Sequence, residues 1–211
     1  MRGLSGTGAA IYCDGGSPVI SNCLIVGNRA SDPDGATICC RSSRPRLTNC
    51  TIVDNRNGFG GAAVYAVDCQ VEVTDSILWR NAPASIRLDG TSAVTMRYCN
   101  LEGGWPGPGN FSRSPLFVQP GYWVAANDPN MVLGPENAEA VWMHGDYHLQ
   151  SRGGRWDGVA RVWLVDQSNS PCLDAADPNV PVVREPSPNG GRANVGAYGR
   201  TIQASKSDFE P

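Results

Sequence analysis

The chain predicts an all-β fold, a right-handed parallel β-helix (β-solenoid) of about four coils followed by an irregular C-terminal cap. Three observations carry this expectation. The segments Gly8–Asn28, Gly35–Asn55 and Gly61–Asn81 repeat one pattern at a spacing of 26–27 residues, and a degenerate copy runs from Ile86 to Leu101. A fixed period in this range marks a stacked repeat architecture. Within each unit, short β-branched runs are broken by Gly, Asn and Pro, with no helical periodicity, as in one coil of a solenoid. Right-handed winding follows the strong bias of parallel crossovers.

The first run of each unit alternates. Ile11 and Cys13 share one parity and Tyr12 the other, and parity assigns a face because successive strand side chains point to opposite sides. Stacking equivalent positions gives two inward columns, Ile11–Ile38–Val64–Ile86 and Cys13–Cys40–Ala66–Leu88. The run before each Asn gives two more, Cys23–Cys50–Ser76–Cys99 and Ile25–Ile52–Leu78–Leu101. Columns this small and apolar belong inside. Thr51, one residue from Ile52, then faces outward and tolerates truncation far better. Asn28, Asn55 and Asn81 form a polar column at a bend, where stacked amides satisfy one another and the turn backbone. Ser31–Asp34 and the stretch 56–60 lengthen the bends and are candidate groove walls, against the plainer reading of solvated turns.

Composition bounds the rest. The chain has 211 residues, 25 Gly, 16 Pro, a net charge of −3 and one lysine, Lys206. A turn-rich β architecture requires such Gly and Pro usage. Without a basic stripe there is no footprint for nucleic acid. No run is apolar and long enough to cross a membrane, and Met1–Leu4 has no signal-peptide character. Repeats begin almost at residue 1 without a cap, which leads to the expectation that further β-helix coils stand N-terminal to this chain. The eight cysteines fall mainly in inward columns, as small hydrophobes rather than disulfide partners. Cys39 has outward parity and is expected to be the reactive thiol. No zinc spacing is present.

Domain organisation follows the repeats: coils over 1–102, then final coils, loops and a capping region over 103–204, then a frayed tail over 205–211. The stretch 114–118 reads as a strand, as do 146–151 and 161–165, with room for a short helix near Glu136–Val141. The tail is expected to cap the last coil and cover its open sheet edges.

The tail also carries a resemblance. The order Ser114–Val118 (SPLFV), Gly145–Ser151 (GDYHLQS), Ser170–Pro178 (SPCLDAADP) and Gly190–Gly199 (GGRANVGAYG) resembles the C-terminal portion of secreted right-handed parallel β-helix proteins of the pectate-lyase-like class, of the planctomycete type. The resemblance covers nearly the whole chain. It implies an extracellular or cell-surface location and carbohydrate chemistry. For polysaccharide lyases of this class it implies abstraction of a proton α to a uronate carboxylate, with Ca²⁺ as the one cofactor to consider. No cofactor is evident from the residues themselves.

Ca²⁺ needs several oxygens converging. The column Asp14–Arg41–Val67–Asp89 places its two carboxylates three levels apart, roughly 14 Å by strand spacing, and the column Val19–Arg46–Glu72–Thr95 has one. A glycosidase pair at about 5–10 Å would have to be drawn from Asp68, Glu72 and Asp89. His144 and His148 fall on a turn and a strand rather than on one helix face. The candidate substrate-binding surface is the outward column Tyr12–Cys39–Tyr65–Arg87, flanked by Asp14, Arg41 and Asp89. Its two tyrosines lie about 10 Å apart, near a disaccharide repeat, against the plainer reading that Tyr is a good outward strand residue. The leading expectation is an extracellular module that binds or displays an extended polysaccharide. A polysaccharide lyase or glycoside hydrolase is the alternative, and a structural spacer the third.

Overall fold

The computed structural model describes residues 10–30, 35–57 and 62–208. Ser31–Asp34 and residues 58–60, the main part of the two candidate groove walls, lie outside the described residues. Coil one holds β1 (Ile11–Asp14), β2 (Val19–Ser21), β3 (Leu24–Val26) and β4 (Arg29–Ala30). Coil two holds β5 (Ala36–Arg41), β6 (Arg46–Thr48), β7 (Thr51–Val53) and β8 (Arg56–Asn57). Coil three holds β9 (Ala62–Val67), β10 (Gln70–Thr74) and β11 (Ile77–Trp79), and coil four holds β12 (Ile86–Asp89), β13 (Ala93–Arg97) and β14 (Asn100–Leu101). Equivalent strands pair in parallel into three four-stranded sheets, β1–β5–β9–β12, β2–β6–β10–β13 and β3–β7–β11–β14. The register is the one the repeats predict: Ile11 pairs with Ile38, Ile38 with Val64 and Val64 with Ile86. Ile25 pairs with Ile52 and Ile52 with Leu78.

The corners explain why such short strands can close a coil. Each of the three corners has a column of residues in the left-handed region: Gly15, Ser42, Asp68 and Gly90; Asn22, Asn49, Asp75 and Tyr98; Gly27, Asp54 and Arg80. A single left-handed residue turns the chain sharply between two strands, and Gly, Asn and Asp tolerate that conformation best. The inward columns fill the lumen. Ile38, Cys40, Leu47, Cys50, Ile52, Val64, Val73 and Leu78 form one buried cluster. At the third corner the polar column is a hydrogen-bonded ladder. The Asn28 backbone N–H and Nδ2 donate to Asn55 Oδ1 at 3.1 and 2.9 Å, and the same groups of Asn55 donate to Asn81 Oδ1 at 3.2 and 3.0 Å. Asn55 Nδ2 also reaches Ile25 O, and Asn81 Nδ2 reaches Ile52 O.

The chain beyond the coils departs from expectation. The stretch 103–113 closes the last coil: Trp105 packs on the lumen cluster, Phe111 N donates to Cys99 O, and Asn110 Oδ1 accepts from Cys99 N. The remainder does not cap an end. It forms a lateral lobe against the third sheet, built from β15 (Phe117–Gln119), β16 (Tyr122–Ala125), β17 (Asp128–Val132), β18 (Ala140–Met143), β19 (Asp146–Leu149), β20 (Arg155–Asp157) and β21 (Val162–Leu164). These pair antiparallel as β15–β19, β17–β16–β18 and β20–β21. The expected helix near Glu136–Val141 is a pair of turns leading into β18, so that Val141 pairs with Val124.

The lobe docks because the third sheet is apolar on both faces. Val26, Val53 and Ile77 point out of the coil and are buried under Phe117, Trp142, Tyr147, Leu149 and Val195. Gly27 allows close approach, since a Cβ there would collide with the Trp142 indole. The stretch 194–200 then runs as a strap along the second corner. Asn22 Nδ2 donates to Ala197 O and Gly199 O, Asn49 Nδ2 to Asn194 O and Gly196 O, and Arg200 Nη1 to Asn49 Oδ1 and Asp75 Oδ2. Residues 205–208 are not frayed. Ser205 Oγ donates to Leu149 O at 2.7 Å, and Ser207 Oγ to Asp174 Oδ1 at 2.8 Å.

Candidate functional site

The outer face of β1–β5–β9–β12 carries all six sequence-derived site residues in the expected columns. Tyr12 pairs with Cys39, Cys39 with Tyr65 and Tyr65 with Arg87, while Asp14 pairs with Arg41, Arg41 with Val67 and Val67 with Asp89. Their surroundings divide them into two groups. Tyr12 is 49% exposed, Asp14 is exposed and Arg41 half-buried. These three form an open group at the first two levels.

Tyr65, Arg87 and Asp89 form a closed group at the other end. Tyr65 Oη donates to Asp89 Oδ2 at 2.6 Å, and Arg87 Nη2 donates to the same oxygen at 2.9 Å. The Arg87 guanidinium lies 4.6 Å from the centroid of the Tyr65 ring, in cation–π geometry. The hydrogen bond from Tyr65, followed by that from Arg87 and its charge, holds the Asp89 carboxyl below its ordinary pKa. The expectation that both tyrosines stand in solvent is corrected here, since Tyr65 is only 6% exposed. Outward parity puts a side chain outside the coil, not into water. Ala36, Cys39 and Tyr65 form a second small cluster on this face, with Val67 packed against it.

The same cluster corrects the cysteine expectation. All eight cysteines are free, but Cys39 is fully buried, and burial raises its thiol pKa. Burial also pushes Cys50 up to about 11 and Cys99 and Cys172 up to about 12. Only Cys13 and Cys23 are half-exposed.

The carboxylates considered for chemistry are each engaged locally. Glu72 pairs with Arg97 at 2.6 Å and Arg46 at 3.4 Å on the second sheet. Asp68 accepts from the Thr91 N–H and hydroxyl at 3.0 and 3.1 Å, bracing the first corner. Among the described residues no group of three or more His, Cys, Asp or Glu stands ready to hold a metal. With its carboxylates at the first and fourth levels, the Asp14–Asp89 column does not fit Ca²⁺, which needs several oxygens converging on one point. His144 is exposed. His148 is buried, stacked on Tyr198 at 3.7 Å and bonded through Nδ1 to Asp146 Oδ1 at 2.6 Å.

A second aromatic surface escaped sequence reasoning. Trp156 and Trp163 face each other across the β20–β21 hairpin, edge to face at 5.5 Å, with Lys206 Nζ 4.3 Å from the Trp163 centroid. The available signal was a pair of Trp bracketing a Gly-containing turn. The two residues come together only through a hairpin whose turn carries no strong sequence mark.

With this geometry in place, comparison adds one finding. A family model described as the right-handed β-helix region matches residues 2–109, just over half of the chain. No curated protein and no solved structure matches.

Proposed function

Because this chain belongs to the right-handed β-helix family, we propose that it is an extracellular carbohydrate-associated module that binds an extended acidic polysaccharide along the outer face of its first sheet. The observation that carries this reading is the open group of Tyr12, Asp14 and Arg41 on adjacent rigid strands. A half-exposed Tyr ring offers an apolar face to the C–H side of a sugar. Arg41, one level along, offers a planar fork to a uronate carboxylate. Asp14 accepts a hydroxyl. The closed Tyr65–Arg87–Asp89 group forms a fixed polar wall at the far end, so little has to be ordered when ligand arrives.

The lyase alternative lacks a cation-holding carboxylate group among the described residues, and binding is therefore the reading adopted. Calorimetric titration with uronate and neutral oligosaccharides tests it. Tyr12→Ala should weaken binding roughly 2- to 12-fold, the worth of one aromatic contact, with the melting temperature almost unchanged. Arg41→Ala should reduce affinity for uronate ligands more than for neutral ones, and the difference should shrink at high salt. No binding by the wild-type chain would favour the spacer. Binding that survives both changes would move the site to the Trp156–Trp163 hairpin. Release of unsaturated uronate, read by ultraviolet absorbance, would establish the lyase.

A further inference from the structure

We infer that the tryptophan-bearing face of the β20–β21 hairpin is a second ligand site, which seats a single uronate residue against Trp156 and Trp163 with its carboxylate on Lys206. The site is separate from the first-sheet face proposed above, and its test reads it separately. Its basis is the placing of two tryptophans. The chain has six. Trp105 packs on the lumen cluster, and Trp79, Trp123 and Trp142 belong to the cluster between coils and lobe. Trp156 and Trp163 join none of the buried clusters and stay half-exposed. Large apolar rings left in water forgo the burial that stabilises a fold, and an apolar patch kept at the surface is the mark of a binding site.

The fold holds this pair in place. Trp156 and Trp163 are directly opposed across the hairpin, so they share one face, and Arg155 and Asp157 take the other. On that other face Arg155 Nε donates to Asp166 Oδ1 at 3.0 Å, and Arg155 Nη1 lies 3.6 Å from Asp146 Oδ2, which ties the hairpin to the lobe. At the turn Asp157 Oδ1 accepts from the Val159 and Ala160 N–H groups at 2.9 and 2.8 Å. The tail is fastened to the base of the hairpin, where Lys206 N donates to Gly154 O at 2.8 Å. It delivers the Lys206 ammonium to 4.3 Å from the Trp163 centroid. Residues 209–211 lie outside the described residues and form no part of the argument.

The same features specify the ligand. The indoles meet at an interplanar angle of 61° with their centroids 5.5 Å apart, so they form a corner rather than a flat stack. Two half-buried indoles offer at most a few hundred square ångströms of apolar surface. A stable protein partner covers about 800 Å² per side, so the occupant here is one or two rings wide. The C–H face of a pyranose fits an indole face. Lys206 is the one lysine of the chain, and it forms no ion pair among the described residues. An ammonium beside an aromatic face selects an anion, and a carboxylate carried on the sugar ring itself comes within its reach when the ring stacks. A uronate supplies both parts.

The test uses the full chain carrying Tyr12→Ala and Arg41→Ala, which disables the first-sheet face. Tryptophan fluorescence is followed during titration with a diuronate, its methyl ester and a neutral disaccharide. The diuronate should give a saturable change. Trp156→Ala and Trp163→Ala should each weaken its binding roughly 2- to 12-fold. Lys206→Gln should weaken it roughly 2- to 5-fold and leave the methyl ester unaffected, and that difference should fade at high salt. Melts by circular dichroism confirm that each variant is folded, and Trp163→Phe, which keeps an aromatic face, should restore most of the binding that Trp163→Ala loses. Absence of a diuronate signal overturns the inference. So does an equal response to diuronate, ester and neutral sugar, or a Lys206→Gln variant that binds as its parent does. A response to anionic lipid vesicles and none to sugar would assign the face to a membrane and likewise overturn it. Calorimetry on the chain with Tyr12 and Arg41 intact and both hairpin tryptophans changed to Ala reads the first-sheet face alone. Binding there without a hairpin signal sinks this inference only, and a hairpin signal without binding there sinks the earlier reading only.

Discussion

Removing the middle member of the ladder should cost far more than removing its first. Asn55→Ala deletes a side chain that makes four hydrogen bonds. Its Oδ1 accepts from Asn28 N–H and Nδ2, and its Nδ2 donates to Asn81 Oδ1 and Ile25 O. The Asn28 N–H is left buried without an acceptor, at about 1–3 kcal/mol, and the other lost bonds contribute about 1 kcal/mol each before relaxation. Because neighbouring groups keep other partners, a net cost of about 3–5 kcal/mol is reasonable. That corresponds to a drop of roughly 6–20 °C in a domain of this size. Among the described residues, Asn28→Ala removes the Nδ2 bonds to Asn55 Oδ1 and Val26 O, and Asn28 Oδ1 has no partner there to lose. Its cost should be about 1–2 kcal/mol, or roughly 2–8 °C. Paired melts by circular dichroism, checked by urea titration, decide the matter. Equal shifts, or a larger shift for Asn28→Ala, would refute the directional ladder.

Three further outcomes follow from packing and charge. Ile52→Ala should cost about 2–5 kcal/mol for a lumen cavity. Thr51→Ala should also cost about 1–3 kcal/mol, because it strips the buried acceptor of Ala197 N–H, and urea melts showing Thr51→Ala to be neutral would argue against lobe docking. In native protein at pH about 8, thiol labelling mapped by mass spectrometry should mark Cys13 and Cys23 before Cys39, whereas early labelling of Cys39 would contradict its burial. Glu185 has a carboxyl pKa raised by burial, against hydrogen bonds from Arg200 N and Asn194 N and with repulsion from Asp174. The unfolded chain therefore releases this proton first, and stability falls as pH rises from the ordinary Glu value of about 4.3 through the raised folded value. Glu185→Gln should gain on the wild type across that window in pH-resolved melts, and a pH-independent difference would refute the assignment.

What the sequence disclosed and what it withheld divide along a physical line. The coils were legible because two periods coincide, one repeat along the chain and one alternation along each strand. Together they determine register, columns and the Asn ladder without knowledge of any distant residue. The corners were legible in part, since Gly15, Asn22, Asn49 and Asp75 are residue types that accept left-handed backbone. Facing was legible but exposure was not. Thr51, Cys39 and Tyr65 all point out of the coil and are all buried, Thr51 beneath the strap and Cys39 and Tyr65 in a cluster of their own on the first sheet. The lobe that covers the third sheet is antiparallel, short-stranded and joined by irregular loops. Contacts such as Asn22 with Ala197 and Gly199 span about 175 residues and leave no periodic trace. The Tyr12–Asp14–Arg41 group could be named in advance, since it depends only on register. The closure of Tyr65, Arg87 and Asp89 on one another depends on side-chain geometry that parity does not encode.

The strap along the second corner alters how this molecule should come apart. A stack of coils in which each touches only its neighbours behaves as a one-dimensional array and can unzip from either end. Residues 194–200 touch Asn22, Asn49 and Asp75, one residue from each of three successive levels. The first coil therefore cannot peel away while the strap holds, and the strap cannot settle until three coils present their corners together. This contact joins residues of the strap to a coil about 175 positions earlier in the chain. It should convert stepwise melting into one cooperative event, and it should make the settling of the coils wait for the strap, since contacts of such sequence separation form slowly.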